Sequence, residues 1–355
     1  MKTLYKYLSV VLIVAFLIPM SLTMKAGNKD RTGQAGATEL LINPWTRSSG
    51  WGSANMSRVR GLEAMWGNVA GTAFTQGTQL IFSSTQWLKG TETNIMAFGI
   101  AQHIGETGVL GIQVMSMSFG EVDIKTVANP DESQGTFKPN LMNMGISYSK
   151  AFSNSIYAGV LVKIISESIA DVSAVGVALD AGIQYVTGAE EQITFGIALK
   201  NWGPKMNFSG DGLSISTLLS GQDDESTLEQ RAASFEIPAQ LNIGAAYDFL
   251  FPNNYRLTVA GTFVSNSFSK DQFVGGLEFS LKEYVQLRGG YTYENGMFEN
   301  TLDVENTNIT NGLSAGLTVQ VPLSKEKGSY IGVDYSYRET QSFNGTHSVG
   351  VIFNF

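Results

Sequence analysis

The sequence predicts an all-β fold: a transmembrane antiparallel β-barrel of about 14 strands with an N-terminal hatch in its lumen. Three observations predict it. From Thr78 onward, segments of about ten residues alternate apolar with small or polar side chains. The connections between those segments sort into a short and a long class, as they do in membrane barrels. The last segment, Thr346 to Phe355, places Val349, Val351, Phe353 and Phe355 on one side and ends on an aromatic ring. Strands in hydrocarbon have no water to satisfy an open edge, so a sheet of this kind closes on itself.

At the start of the chain, Met1 to Ala26 carries Lys2 and Lys6, then an apolar run from Leu8 to Ile18 and small residues near Ala26. This reads as a secretory signal peptide, 1–26. The apolar core is too short and wrongly flanked for a spanning helix. Cleavage fits after Ala26 or after Ala35, and either exports the protein. Removal of Lys2, Lys6 and Lys25 takes the formal charge from -8 to -11, a balance that argues against nucleic acid as a partner. The chain has no cysteine, which excludes a lipid-anchored N-terminus, a disulfide framework and a thiolate metal site. With 39 glycines, 8 prolines, 11% aromatic residues and no later run of eighteen apolar residues, the composition fits alternating strands rather than membrane helices.

Residues 27–77 form an N-terminal segment in which Gly36 to Ala73 do not alternate. Glycine turns are expected around Gly50 and Gly52, and a short helical stretch near Val59 to Trp66. A barrel this wide is not filled by its own strand side chains. The segment is therefore expected to fold into the lumen from the periplasmic side, as a plug.

The barrel occupies 78–355. The expected strands are 78–87, 93–102, 109–119, 141–152, 156–167, 174–186, 193–202, 240–249, 255–265, 273–281, 285–294, 311–321, 330–337 and 346–355. In the fourth, Met142, Met144, Ile146 and Tyr148 oppose Asn143, Gly145, Ser147 and Ser149. The sixth sets Val175, Val177, Leu179 and Ile183 against Gly176, Ala178, Asp180 and Gln184; the twelfth sets Leu313, Leu317 and Val321 against Gly312, Gly316 and Gln320. An even count places both termini on the periplasmic side. The links at Ser153 to Ser155, Thr187 to Gln192, Phe251 to Asn254 and Lys282 to Tyr284 are then short periplasmic turns, and Gly120 to Asn140, Gly203 to Ala239 and Asn295 to Thr310 are long extracellular loops. A soluble β-sandwich also alternates, but strand length, Phe355 and the loop asymmetry favour the membrane barrel. Tyr148, Phe152, Tyr185, Trp202, Tyr247, Phe249, Tyr255, Tyr291 and Tyr293 lie near strand ends, where aromatic girdles sit.

Chemistry is sparse. Only His103 and His347 are available as catalytic bases; the first falls in an expected turn and the second faces lipid, and neither has a triad partner by strand parity. The protein is read as a non-enzyme without cofactor. Gln222-Asp223-Asp224-Glu225 and Asp303-Val304-Glu305-Asn306 are acidic enough for calcium but lack the twelve-residue loop spacing, and solvated charge accounts for them. Inward parity gathers Asp180, Lys200, Glu278, Gln286 and Arg288 into a polar lumen. Their mixed signs fit a hydrogen-bonded network better than a charge-selective pore.

The stretch Arg47-Ser48-Ser49-Gly50-Trp51-Gly52, followed by Trp66-Gly67-Asn68-Val69-Ala70-Gly71, resembles the N-terminal hatch of the PorV/PorQ family, within the wider group of fatty-acid-transporter-like barrels. Gln34-Ala35-Gly36-Ala37 and Leu40-Leu41-Ile42 resemble the start of mature members. The hatch of that group reads Asn-Pro-Ala-Gly; here Val69 replaces the proline and Gly67 stands between tryptophan and asparagine. The resemblance implies an integral outer-membrane protein of the type IX secretion system of Bacteroidetes. It would bind the C-terminal domains of secreted cargo, or translocon and surface-complex subunits, through its extracellular loops. Trp66, Asn68, Ala70 and Gly71 are the matching hatch residues, and they either shape the turn or touch a ligand. The alternative implied by the same group is a channel for hydrophobic small molecules. For either, Leu213, Ile215, Leu218 and Leu219 are the candidate loop residues, as an apolar site at the rim, a packed helix or a protein-binding surface.

Overall fold

In the computed structural model, which describes residues 27–127, 130–218, 224–295, 297, 309–324 and 328–355, each alternating segment forms a strand. The signal peptide expected at 1–26 lies outside the described residues. In chain order the strands are β1 (Thr78–Gln86), β2 (Asn94–Ile104), β3 (Gly108–Ser118), β4 (Val122–Asp123), β5 (Thr136–Phe137), β6 (Asn140–Ala151), β7 (Ile156–Ile169), β8 (Val172–Thr187) and β9 (Ile193–Trp202). They continue with β10 (Ser214–Leu218), β11 (Glu225–Glu229), β12 (Gln240–Phe251), β13 (Tyr255–Asn266), β14 (Gln272–Leu281), β15 (Val285–Glu294), β16 (Thr310–Ser324), β17 (Ser329–Thr340) and β18 (Thr346–Asn354). Apart from the two small hairpins β4–β5 and β10–β11, these strands form one closed antiparallel barrel of 14. The ring closes where β1 meets β18, with Gln79 opposite Asn354 and Gln86 opposite His347.

Alternation is realised as two chemically different surfaces. Outward residues on successive strands, among them Phe98, Ile112, Ile146, Val160, Ile183, Ile197, Ile243, Leu277, Leu317 and Val333, are exposed around the ring. A continuous apolar exterior of this extent is stable against hydrocarbon and not against water. Tyr148, Phe152, Tyr185, Trp202, Tyr291 and Tyr293 are exposed near strand ends, where their polar tips reach the interface. His347 sits at the start of β18 beside Tyr335, whose hydroxyl is 2.8 Å from Nδ1. His103 is a correction: it lies within β2, not in a turn, because the strand runs two residues further than its apolar pattern.

The two mouths differ. One collects the start of β1, Phe355 and short links such as the turn Pro252–Asn254; we call it the Phe355 mouth. The other, the loop mouth, carries the long connections and both small hairpins.

Residues 37–76 occupy the lumen. Helical structure is confined to Thr38–Leu41, Thr46–Ser49, Ala64–Gly67 and Val69–Phe74, each a turn or two. The helix expected near Val59 to Trp66 thus shortens to Ala64–Gly67, since Gly61 adopts φ +78° and breaks the run ahead of it. The segment is held from several sides of the ring. Thr46 Oγ1 lies 2.6 Å from Ser83 Oγ on β1. Thr262 Oγ1 on β13 donates to the Ala54 carbonyl at 2.7 Å. Ser149 Oγ on β6 donates to the Val69 carbonyl at 2.7 Å, and Gln184 Nε2 on β8 to the Val59 carbonyl at 3.1 Å. Wall glycines admit the close approach: a Cβ at Gly290 would stand 2.0 Å from the Trp51 carbonyl oxygen.

Tracing the segment backward corrects one expectation. Gly36 N donates to the Glu236 carbonyl at 3.1 Å, Arg31 pairs with Glu236 at 2.9 Å, and Gly27 lies against Ser269 and Asp271. The described chain therefore begins at the loop mouth and enters β1 at the Phe355 mouth, where the Thr78 N–H donates to the Phe355 carbonyl at 3.1 Å. The two ends of the barrel share the Phe355 mouth, with Gln79 opposite Asn354, while the first described residues lie at the loop mouth. Strand parity fixes where β1 starts and says nothing of the fifty residues before it.

Candidate functional site

The inner segment and the wall that faces it form the site. Asn68 sits where α-helical Ala64–Gly67 gives way to the turn Val69–Phe74, and it is 1% exposed. Its Oδ1 accepts from Ala70 N at 3.2 Å, capping that turn. Its Nδ2 donates to the Ile183 carbonyl of β8 at 3.1 Å. Gly182 makes the approach feasible, since a Cβ there would lie 2.1 Å from Asn68 Oδ1. The amide of Asn68 is thus engaged with backbone, which fits a turn-shaping role. Ala70 is fully buried, and a Cβ on Gly71 would meet the Val59 carbonyl oxygen at 2.0 Å. Trp66 is partly buried and lies beneath Lys200 of β9, whose Nζ is 3.4 Å from the ring centroid.

The inward polar residues separate into two networks. On β7 to β9, Lys163 Nζ pairs with Asp180 Oδ2 at 2.6 Å and donates to Asn201 Oδ1 at 2.5 Å. The Asn201 N–H donates to Asp180 Oδ1 at 2.7 Å. Asn201 takes φ +58° at a bulge where the β8–β9 register shifts between Leu179 and Ala181, so the carboxylate of Asp180 holds the irregular backbone. Lys200 is 1% exposed and stacks on Trp66 instead of pairing with a carboxylate.

The second network rings a cavity of about 370 Å³ at the Phe355 mouth, lined by residues that include Arg47, Arg58, Arg60, Arg256 and Arg288. Glu278 accepts from Arg288 Nε at 2.6 Å and from Arg256 Nη2 at 2.9 Å. Arg58 pairs with Asp248 at 2.6 Å, and Arg47 with Asp334 at 3.1 Å. Thr318 Oγ1 donates to Asp334 and accepts from Arg288 Nη1. Burial alone would lower the Arg47 pKa, but the carboxylates of Asp334 and Glu63 outweigh it and raise it. Burial raises the Glu63 carboxyl, which accepts from Ser48 N at 3.0 Å. Arg60 is set apart. Its guanidinium rests 4.2 Å from the Phe74 ring centroid; although the residue is exposed to the water of the mouth, the protein atoms crowded around it and then neighbouring Arg58 lower its pKa to about 10.

At the loop end of the lumen, Leu40 packs with Ile165, Ala174, Ala178, Met206 and Ile237. A neighbouring cluster of Ile95, Met115 and Met117 packs with Ile42. Glu39 is 2% exposed beside them; burial, and then the Glu167 carboxylate, raise its pKa to about 7. The loop residues Leu213, Ile215 and Leu218 do not form a helix. Leu213 ends a single turn, Asp211–Leu213, and Ile215 and Leu218 lie in β10. Ile215 stands opposite Leu228 of β11, and Ile215, Leu218 and Leu228 are all exposed. Leu219 falls outside the described residues, as do Asp303 to Asn306 and part of the acidic run at 222–225. Among the described residues no three His, Asp or Glu side chains gather as a metal site.

Sequence patterning brought out the inward residues of the strands but not the arginines and acids of the inner segment. Arg47, Arg58, Arg60 and Glu63 were legible only as four charges in a stretch without periodicity.

No family model and no curated protein matches the chain. Solved structures do. The toluene transporter TodX of P. putida aligns at 14% identity and TM-score 0.50, covering 83% of this chain and 94% of that one. The CymD monoaromatic hydrocarbon channel aligns at 12% and 0.51, covering 89% and 98%. A FadL homologue of Pseudomonas aeruginosa aligns at 13% and 0.50, covering 87% and 96%. The likeness is one of fold. This chain shares the barrel architecture of outer-membrane hydrocarbon channels.

Proposed function

We propose that the protein is an outer-membrane channel for small hydrophobic molecules, with the segment inside its lumen controlling passage. One observation carries the reading: a non-strand segment crosses the lumen from mouth to mouth, docked to the wall by individual side-chain hydrogen bonds. The fold it shares with a toluene transporter and a monoaromatic hydrocarbon channel supports it. So does the loop end of the lumen, where Leu40, Ile165, Met115 and Met117 are packed in an apolar interior whose methionines can change shape as a ligand passes.

The chain's lack of cysteine makes a clean test available. Thr46→Cys with Ser83→Cys places two thiols where hydroxyls now stand 2.6 Å apart, tying the segment to β1 when oxidised. In vesicles loaded with purified protein, toluene uptake should be lost on oxidation and return on reduction. Uptake indifferent to the lock, or no uptake above protein-free vesicles, overturns the proposal.

A second reading keeps the PorV/PorQ resemblance: a secretion-system barrel that binds cargo domains or translocon subunits. The exposed pair Ile215 and Leu228 on the β10–β11 hairpin favours it. Affinity purification from the native outer membrane separates the two, because recovery of cargo that is lost with Ile215→Ser supports binding through this hairpin.

A further inference from the structure

We propose that the cavity at the Phe355 mouth is a binding site for a small soluble organic anion, carrying a carboxylate or phosphate, with Arg60 as the group that receives it. The volume of about 370 Å³ falls at the lower end of the range for small-ligand sites. The other four arginines on its wall each pair with a carboxylate: Arg47 with Asp334, Arg58 with Asp248, and Arg256 and Arg288 with Glu278. The acids that face the cavity are likewise engaged, Glu63 by Ser48, Glu278 by its two arginines, and Glu283 by Gln286 Nε2 at 3.1 Å. Arg60 alone has neither ion pair nor hydrogen bond among the described residues.

Its geometry suits the role. Stacking on Phe74 at 4.2 Å fixes the guanidinium plane and leaves the edge donors open, the arrangement in which arginine takes a carboxylate or phosphate bidentately. Two more donors on the same wall, Arg47 Nη2 and Arg256 Nε, are buried without an acceptor. Buried donors of this kind are costly unless something accepts from them. Phe74, Trp51, Ile81 and Ile352 add apolar surface to the lining, so the best fit is an anion with a compact apolar body. The site does not depend on the channel reading, since binding at this mouth requires no passage.

The test uses the full-length barrel in lipid-free neutral detergent, titrated calorimetrically with benzoate, phenyl phosphate and inorganic phosphate. Saturable binding of benzoate or phenyl phosphate at one site is expected. Arg60→Gln should weaken it at least tenfold, and Arg60→Lys less. Phe74→Leu, which keeps every charge but removes the ring under the guanidinium, should weaken it about threefold. Absence of saturable binding to the wild-type protein overturns the proposal, as does equal binding by Arg60→Gln and Phe74→Leu. Binding that appears only with phosphatidylglycerol in nanodiscs assigns the site to a lipid headgroup and overturns the soluble-anion claim. Failure of the oxidised lock to stop toluene uptake would remove the channel reading while leaving this site standing.

Discussion

Glu39 is a carboxyl held in the lumen near a second one, Glu167, and Asn143. Its ordinary value of 4.5 rises to about 7. An acid whose folded pKa lies above its unfolded value holds its proton longer when folded, so stability falls as pH climbs from about 4.5 to about 7 and returns on acidification. The shift corresponds to about 3 kcal/mol at most. Glu39→Gln should therefore stabilise the protein at pH 8 and leave it nearly unchanged at pH 4, as read by denaturant unfolding in detergent and by hydrogen exchange of residues 38–42. Lys163 and Asp180 are both 4% exposed and 2.6 Å apart. Asp180→Ala leaves a buried ammonium with Asn201 alone and should cost about 3–5 kcal/mol, whereas Lys163→Met with Asp180→Leu should cost much less; a double-mutant cycle in urea measures the difference. Parity alone puts Asp180, Lys200, Glu278 and Arg288 inside the barrel. Partners were not legible, because period reveals a face and not a neighbour around the ring: Arg47 meets Asp334 across 287 residues of sequence.

Among elements, the inner segment is the one that sequence patterning describes least. Its backbone follows the contours of the wall rather than a period of its own, so helix was expected over Val59 to Trp66 and only Ala64–Gly67 is helical. Its glycines were more readable than its helices. Gly71 packs so closely on Val59 that a single methyl has no room. Gly71→Ala should loosen the turn by about 1–3 kcal/mol, seen as faster hydrogen exchange over residues 59–74 with the strands unaffected. The strands themselves were legible to within a few residues, since a half-buried strand in lipid has only two environments and each residue declares one. The loop hairpins β4–β5 and β10–β11 were not, because their short, exposed runs carry no such contrast.

For the whole molecule, fourteen strands and their closure follow from alternation, connection length and the final aromatic strand. The direction of the N-terminal segment did not follow, since nothing in a strand count orients residues that are not strands. If the segment is what closes the lumen, deletion of residues 38–76 should convert a poorly conducting protein into an open pore. Planar-bilayer recordings should show a large, steady conductance in the deletion that the full chain lacks, and equal conductance would count against a closing role.

The segment touches β1, β6, β8, β12, β13 and β17 through side chains of Thr46, Val69, Val59, Arg58, Ala54 and Arg47, or through their carbonyls. In mechanical terms these contacts are the spokes of a wheel, and the hydrogen-bonded sheet is only its rim. A closed sheet of this width flattens easily along one diameter, and spokes to six strands oppose that deformation from within. Freeing the segment at either mouth would thus remove the internal bracing that ties these six strands to one another across the lumen.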